Sequence, residues 1–171
     1  MTTHPDGYTV AMAAVMEGSL ADLSAWDPAG CSIARSLEII GTRSAILILR
    51  EAYYGTRRFD KFASRIGITD AAAAKQLRKL ADANLLEKRP YQESGQRTRY
   101  EYILTQKGLD LLPAVVALWQ WGDKYLQPGP APLARFDTRT GEPVRAELRA
   151  ADGAEVDIEH LGVRVNDESA G

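Results

Sequence analysis

One cysteine, Cys31, stands in a chain of 171 residues. An internal disulfide is therefore excluded, as is any iron-sulfur or multi-thiolate zinc site, and the chain suits a reducing compartment. Histidine is almost as scarce: His4 and His160 are far apart, with no metal-ligand spacing around either. No apolar run approaches the ~18 residues that a membrane span needs. Nor is a secretory leader legible, because residues 1–8 carry no Lys or Arg and the apolar stretch 10–16 ends at Glu17. A phosphate loop, a dinucleotide fingerprint, a nucleophile elbow and a paired-histidine metal helix are also missing. These absences predict a cytoplasmic protein that is not an enzyme and uses no cofactor.

Positive charge is missing from one part of the chain and concentrated in another. Residues 1–34 contain no Lys or Arg and sum to −4, residues 35–107 sum to +7, and residues 108–171 sum to −5. A basic middle between acidic ends points to an anionic partner for the middle alone.

The apolar pattern of that middle is helical. Ile33, Leu37 and Ile40 fall at i, i+4 and i+7, and Thr42 is placed to cap a mostly buried helix over 43–53. Phe59, Phe62, Ala63 and Ile66 mark a short helix stopped by Gly67. Thr69 is the natural cap of the next helix, with Asp70 at the positive end of its dipole, Ala73, Leu77 and Leu80 as an inner stripe, and Asn84 suited to a left-handed close. Two strand-like segments, 86–91 and 100–104, flank a polar tip containing Gly95. Thr105 is then expected to cap a long helix to about residue 126, bent by Pro113 in its interior.

Three helices followed by a two-stranded wing make a winged helix-turn-helix, so the expected fold is mainly α with a small β component. A helix of this kind fits the major groove of B-DNA, with flanking Lys and Arg on the phosphates. The candidate DNA contacts on the second helix of the pair are Thr69, Ala71, Ala72, Lys75, Gln76, Arg78 and Lys79. Ala71 and Ala72 offer only apolar contact with a thymine methyl. Gln96, Arg97 and Arg99 are the candidates at the wing, and Arg57 and Arg58 those preceding the first helix of the pair.

The motifs Cys31-Ser-Ile-Ala-Arg-Ser-Leu-Glu-Ile-Ile-Gly-Thr42, Ile46-Leu-Ile-Leu-Arg-Glu51, Gly55-Thr-Arg-Arg-Phe-Asp60, Gln76-Leu-Arg-Lys-Leu80 and Tyr100-Glu-Tyr-Ile-Leu-Thr-Gln-Lys-Gly108 occur in order. Together with Trp121-Gly122 they resemble the HxlR family of bacterial transcriptional regulators. That resemblance implies a homodimer, built through the N-terminal helix and the long helix after the wing, on a palindromic operator. Leu37, Leu112, Val116 and Trp119 are the candidate dimer-packing residues. Two departures stand out. Thr42-Arg43-Ser44 replaces the family's Gly-Lys-Trp, and Ser32 replaces the proline that often follows the cysteine. In some relatives the residue at the position of Cys31 is a redox sensor; a buried small hydrophobe is the plainer role.

The expected organisation is an N-terminal extension with a docking helix over 1–30, the winged helix-turn-helix over 31–126 and a Pro-rich linker over 127–132. A small β-hairpin appendage over 133–165 and a tail over 166–171 complete it. The function this predicts is that of a dimeric, sequence-specific DNA-binding regulator, most simply a repressor. Two alternatives stand beside it. One is a sensor switched by Cys31 oxidation or by a small molecule near Ser44, Tyr53 and Trp26; the other is a protein-interaction module that does not bind DNA.

Overall fold

The computed structural model describes residues 2–3, 9–10, 14–22, 30–92, 95 and 98–166. Its elements run β1 (Thr2–Thr3), β2 (Thr9–Val10), β3 (Val15–Met16), α1 (Ser32–Ile40), α2 (Arg43–Tyr53), α3 (Phe59–Ile66), α4 (Asp70–Asp82), β4 (Leu86–Tyr91), β5 (Arg99–Leu104), α5 (Gln106–Leu109), α6 (Leu112–Tyr125) and β6 (Gly162–Val163). The chain divides into two units, Cys31–Ala146 and a second formed by Met1–Gly30 with Glu147–Gly171.

Three helices of the larger unit, α2, α4 and α5, start where a side chain replaces a missing backbone partner. The hydroxyl oxygens of Thr42, Thr69 and Thr105 accept hydrogen bonds from the backbone N–H of Ala45 (3.1 Å), Ala72 (3.3 Å) and Gly108 (3.1 Å). Gly67 ends α3 in the left-handed region at φ 68°, and Asn84 closes α4 at φ 58°. Only three residues therefore separate α3 from α4, which holds this pair at the tight corner of a helix-turn-helix.

The core lies among α2, α3, α4 and the wing. Ile48, Leu49, Phe62, Leu77, Leu80 and Leu86 are buried there, and the Phe62 ring meets Tyr102 edge to face at 6.3 Å. Each such side chain contributes about 1.5–3 kcal/mol by leaving water. Strands β4 and β5 pair antiparallel from Leu86↔Leu104 to Tyr91↔Arg99. A third short edge joins them: Tyr102 N–H donates to the Arg57 carbonyl (2.9 Å), with a bridge between Arg58 and Glu101.

Glu51 of α2 is a buried charge, 2% exposed, and it is fully partnered. It accepts hydrogen bonds from Arg50 (2.8 Å), Thr56 (3.3 Å) and Arg65 of α3. Burial pushes its carboxyl up, but the hydrogen bonds from Arg65 and Arg50 outweigh that and hold it below the ordinary carboxylate value.

Three expectations need correction. The helix after the wing is broken: α5 ends at Leu109, and α6 begins at Leu112 with Pro113 in its first turn. There the missing proline N–H costs no helical bond, so the chain restarts the helix rather than bending it. Among the described residues of 1–30, where a docking helix is expected with Ser19 as its cap, there is no α-helix. Gly18–Ala21 is a single 3-10 turn with Leu20 buried, and Leu23 and Trp26 lie outside the described residues.

The residues after 132 do not form one hairpin appendage. The turn at Gly141 belongs to the larger unit and carries a single bridge, Phe136↔Pro143. The turn at Gly153 belongs to the smaller unit, with one bridge, Arg149↔Glu155. In that smaller unit β6 pairs in parallel with β3, and β1 pairs antiparallel with β2. Each turn is set locally by a left-handed glycine, whereas the partner of β6 lies 147 residues away in sequence, beyond the reach of a local pattern.

Candidate nucleic-acid interface

Helix α4 turns Ala73, Leu77 and Leu80 into the core and leaves Ala71, Ala72, Lys75, Arg78 and Lys79 exposed. Thr69 is exposed at its N-cap, beside Asp70. The first turn thus presents the small side chains of Ala71 and Ala72, and cations follow from Lys75, one turn later. This is the arrangement that lets a helix backbone approach a groove while long side chains reach outward.

Gln76 does not belong to that surface. It is 7% exposed, its Oε1 accepts from the Thr42 hydroxyl at 3.2 Å, and its Nε2 is buried without a partner. At ~100° per residue Gln76 lies about 40° from Leu80, on the inner side of the wheel, so the periodicity itself carried the signal. Lys79, also exposed, has a partner within the chain. Its ammonium donates to the Glu38 carbonyl in the last turn of α1, where a cation also complements the helix dipole.

The wing contributes Arg99, exposed at the start of β5 and paired in register with Tyr91. Gln96 and Arg97 lie outside the described residues. Between the wing and α3, Arg57 faces Glu101 at 4.0 Å, and the Arg58 guanidinium lies over the Tyr91 ring at 5.2 Å. Arg57, Arg58, Lys61 and Arg65 line a depression of about 420 Å³ at the start of α3. Lys88 was missed in the sequence: its ammonium sits 4.1 Å from the Tyr100 ring centroid, on the exposed side of the wing. Strand alternation could have found it, since Lys88 is the register partner of Tyr102, and Tyr100, two residues before Tyr102, lies on the same face of the wing.

The expected dimer-packing residues divide. Leu37 is 56% exposed on α1, a helix with no buried residue, and Leu112 is 38% exposed at the start of α6. Val116 is half-buried. Trp119 packs on its own chain, edge to face with Tyr54 at 6.1 Å and beneath the Arg135 guanidinium at 4.4 Å. Trp121, Tyr125 and Leu118 of α6, and Ile33 of α1, are further large apolar side chains left in water. Cys31 is half-buried at the N-cap of α1, and its carbonyl accepts from Arg35 N–H at 3.1 Å.

Of the residues expected near an effector, Ser44 and Tyr53 are half-buried, and Tyr53 is engaged within its own chain. The Tyr53 hydroxyl donates to the Gly108 carbonyl at 2.5 Å, and burial raises its pKa to about 12. Trp26 lies outside the described residues. Among the described residues no cluster of three or more His, Cys, Asp or Glu could hold a metal ion, and no helix is long and apolar enough to cross a membrane.

A helix pair with an exposed cationic second helix, followed by a two-stranded wing, defines the winged helix-turn-helix class of DNA-binding regulators, a non-enzymatic class. Residues 39–130, more than half of the chain, match the HxlR-like helix-turn-helix family model, and the chain belongs to that family. It is 45% identical over 97 residues to the HTH-type transcriptional regulator Rv3095 of Mycobacterium tuberculosis, covering 57% of this chain and 60% of that relative. The match thus spans less than two thirds of that relative's length. Among solved structures the chain is similar to PA1607, described as a transcription factor, with a TM-score of 0.70 and 34% identity over 82% of this chain and 96% of that one. It is also similar to the redox regulator HypR in its reduced form, with a TM-score of 0.50 and 25% identity over 56% of this chain and 96% of that one.

Proposed function

We propose that this chain acts in the cytoplasm as a homodimeric repressor, gripping a palindromic operator with α4 of each copy in the major groove. The exposed face of α4 carries the reading: Ala71, Ala72, Lys75 and Arg78 stand outward from a helix whose other side is core. Arg99 at the wing and Arg57 and Arg58 before α3 supply phosphate contacts on either side of the groove. The uncovered apolar faces of α1 and α6 support the dimer, since Ile33, Leu37, Leu118 and Trp121 cost solvation unless a second copy covers them. Two-fold symmetry sets half-site centres about one helical turn apart, or a multiple of it. A protein clamped across both half-sites blocks other proteins from that stretch of duplex, which favours repression.

The test is selection of bound sequences from a random duplex pool, with sedimentation of the selected complex. The reading expects a palindrome bound by two copies; a non-palindromic site held by one copy contradicts it. The likeness to HypR and the position of Cys31 at the start of an uncovered helix favour redox control as a second reading. It expects oxidant to produce a covalent dimer on non-reducing gels that Cys31→Ser abolishes.

A further inference from the structure

A depression of about 400 Å³ opens between the start of α3 and the tip-side half of the wing, within the size range of ligand sites. Phe59 and Asp60 line it from α3, and Lys88, Tyr91, Arg99 and Tyr100 from β4 and β5. Its charges point to an anion. Among the described residues no carboxylate pairs with Lys88 or Arg99, whereas Asp60 faces Lys61 at 3.9 Å. Positive charge is therefore left over at the opening, and its complement is negative.

The rings restrict which anion. Tyr100 is 48% exposed, and Phe59 and Tyr91 are half-buried. Both tyrosines have a cation at the ring, with Lys88 Nζ 4.1 Å from the Tyr100 centroid and the Arg58 guanidinium 5.2 Å from that of Tyr91. A bare inorganic anion gains nothing from such rings, but a nucleotide brings a flat base for the ring and a phosphate for the cation. In a duplex the faces of each base are covered by its neighbours, so a protein reaches only base edges and the backbone. An exposed tyrosine stacks on a base where the strand is unpaired.

We propose that this depression holds single-stranded DNA, with a base against Tyr100 and phosphates on Lys88 and Arg99. Several rings and several cations line it, which suits successive nucleotides of a strand better than one free nucleotide. No residue of α4 lines the depression, so the strand site does not rest on the duplex reading above. Arg99 alone is common to both.

The experiment is fluorescence anisotropy of the full chain with two labelled strands at one salt concentration, a short oligodeoxyadenylate and an abasic strand of the same length and charge, with dAMP as a competitor. The expected result is that the oligodeoxyadenylate binds about tenfold more tightly than the abasic strand, because equal phosphates cannot separate the two and stacking on a base can. The strand also binds more tightly than dAMP. Tyr100→Leu brings the two strands within about twofold of each other, while Tyr100→Phe, which keeps the ring, keeps the preference. Lys88→Met weakens both strands. The double variant Lys75→Ala with Arg78→Ala keeps the preference even as it loses duplex. Equal binding of the two strands by the wild type, or a preference that survives Tyr100→Leu, overturns the site. A preference lost in the α4 double variant moves the strand to α4 and likewise overturns it. Competition by dAMP as tight as the strand itself overturns the strand as ligand. Duplex binding without any preference between the strands overturns this proposal and leaves the duplex reading standing; a preference without duplex binding does the reverse.

Discussion

The Gln76 amide has a buried Nε2 with no acceptor, and one hydrogen bond at its oxygen. An unmet buried donor costs about 1–3 kcal/mol, so Gln76→Leu, which keeps the volume and removes the donor, should raise stability by about 1 kcal/mol. Denaturant midpoints measure that, and a gel shift should find duplex affinity unchanged; a loss of affinity would return Gln76 to the DNA surface. Glu51 works in the opposite direction. Glu51→Gln removes the charge that Arg50 and Arg65 share and should cost about 2–3 kcal/mol. Its folded pKa is lowered, so its contribution is present above the unfolded carboxylate value and is lost as pH falls through the folded one. The variant should therefore melt with less acid sensitivity than the wild type. Tyr53 is raised to about 12, so its contribution is complete below pH 10 and is lost as pH climbs from 10 to 12. Tyr53→Phe should flatten that alkaline limb in thermal melts.

Among the elements, caps and stops were legible and interruptions were not. Thr42, Thr69 and Thr105 announce their helices because a hydroxyl before a helical stretch is a local feature, and Gly67 and Asn84 end theirs for an equally local reason. The break between α5 and α6 was misplaced because Pro113 suits the first turn of a new helix as well as a bend within one, and how tightly α5 is seated depends on contacts that no local window contains. A Cβ on Gly108 would come within 2.3 Å of the Leu85 carbonyl, which fixes α5 tightly against the end of α4. Two glycines in neighbouring helices should consequently respond with opposite sign. Gly108→Ala has to displace backbone and should destabilise by about 1–3 kcal/mol, while Gly122→Ala gains helix propensity and should stabilise by about 0.5–1 kcal/mol. Thermal melts of the two variants check this, and a shift of the same sign in both would refute the packing described for this segment.

Across the whole molecule, the charge division of the sequence anticipated where the cationic surface would lie. The basic middle became α3, α4 and the wing, whereas the acidic ends fell mostly outside the larger unit's helical core. Individual cations were harder to assign, because a long side chain on an exposed face can serve a neighbouring helix as readily as a ligand. Lys79 reaches the carbonyl of Glu38, while no comparable partner engages Lys75 among the described residues. Domain organisation was the least legible level, since the larger unit runs on to Ala146, well past the prolines at 128, 130 and 132. There the Gln120 side chain holds the Ala146 backbone at both its N–H and its carbonyl, and Arg135 is paired with Asp123.

The central claim is that the outward face of α4 holds duplex DNA. Its most direct test is the salt dependence of duplex binding by the wild type, by Lys79→Ala and by the double variant Lys75→Ala with Arg78→Ala. If both double-variant positions meet phosphates, the slope of log affinity against log salt shrinks by about 1.8, or ~0.9 for each contact, with Lys79→Ala close to the wild type. A double variant with the wild-type slope and affinity would contradict the account.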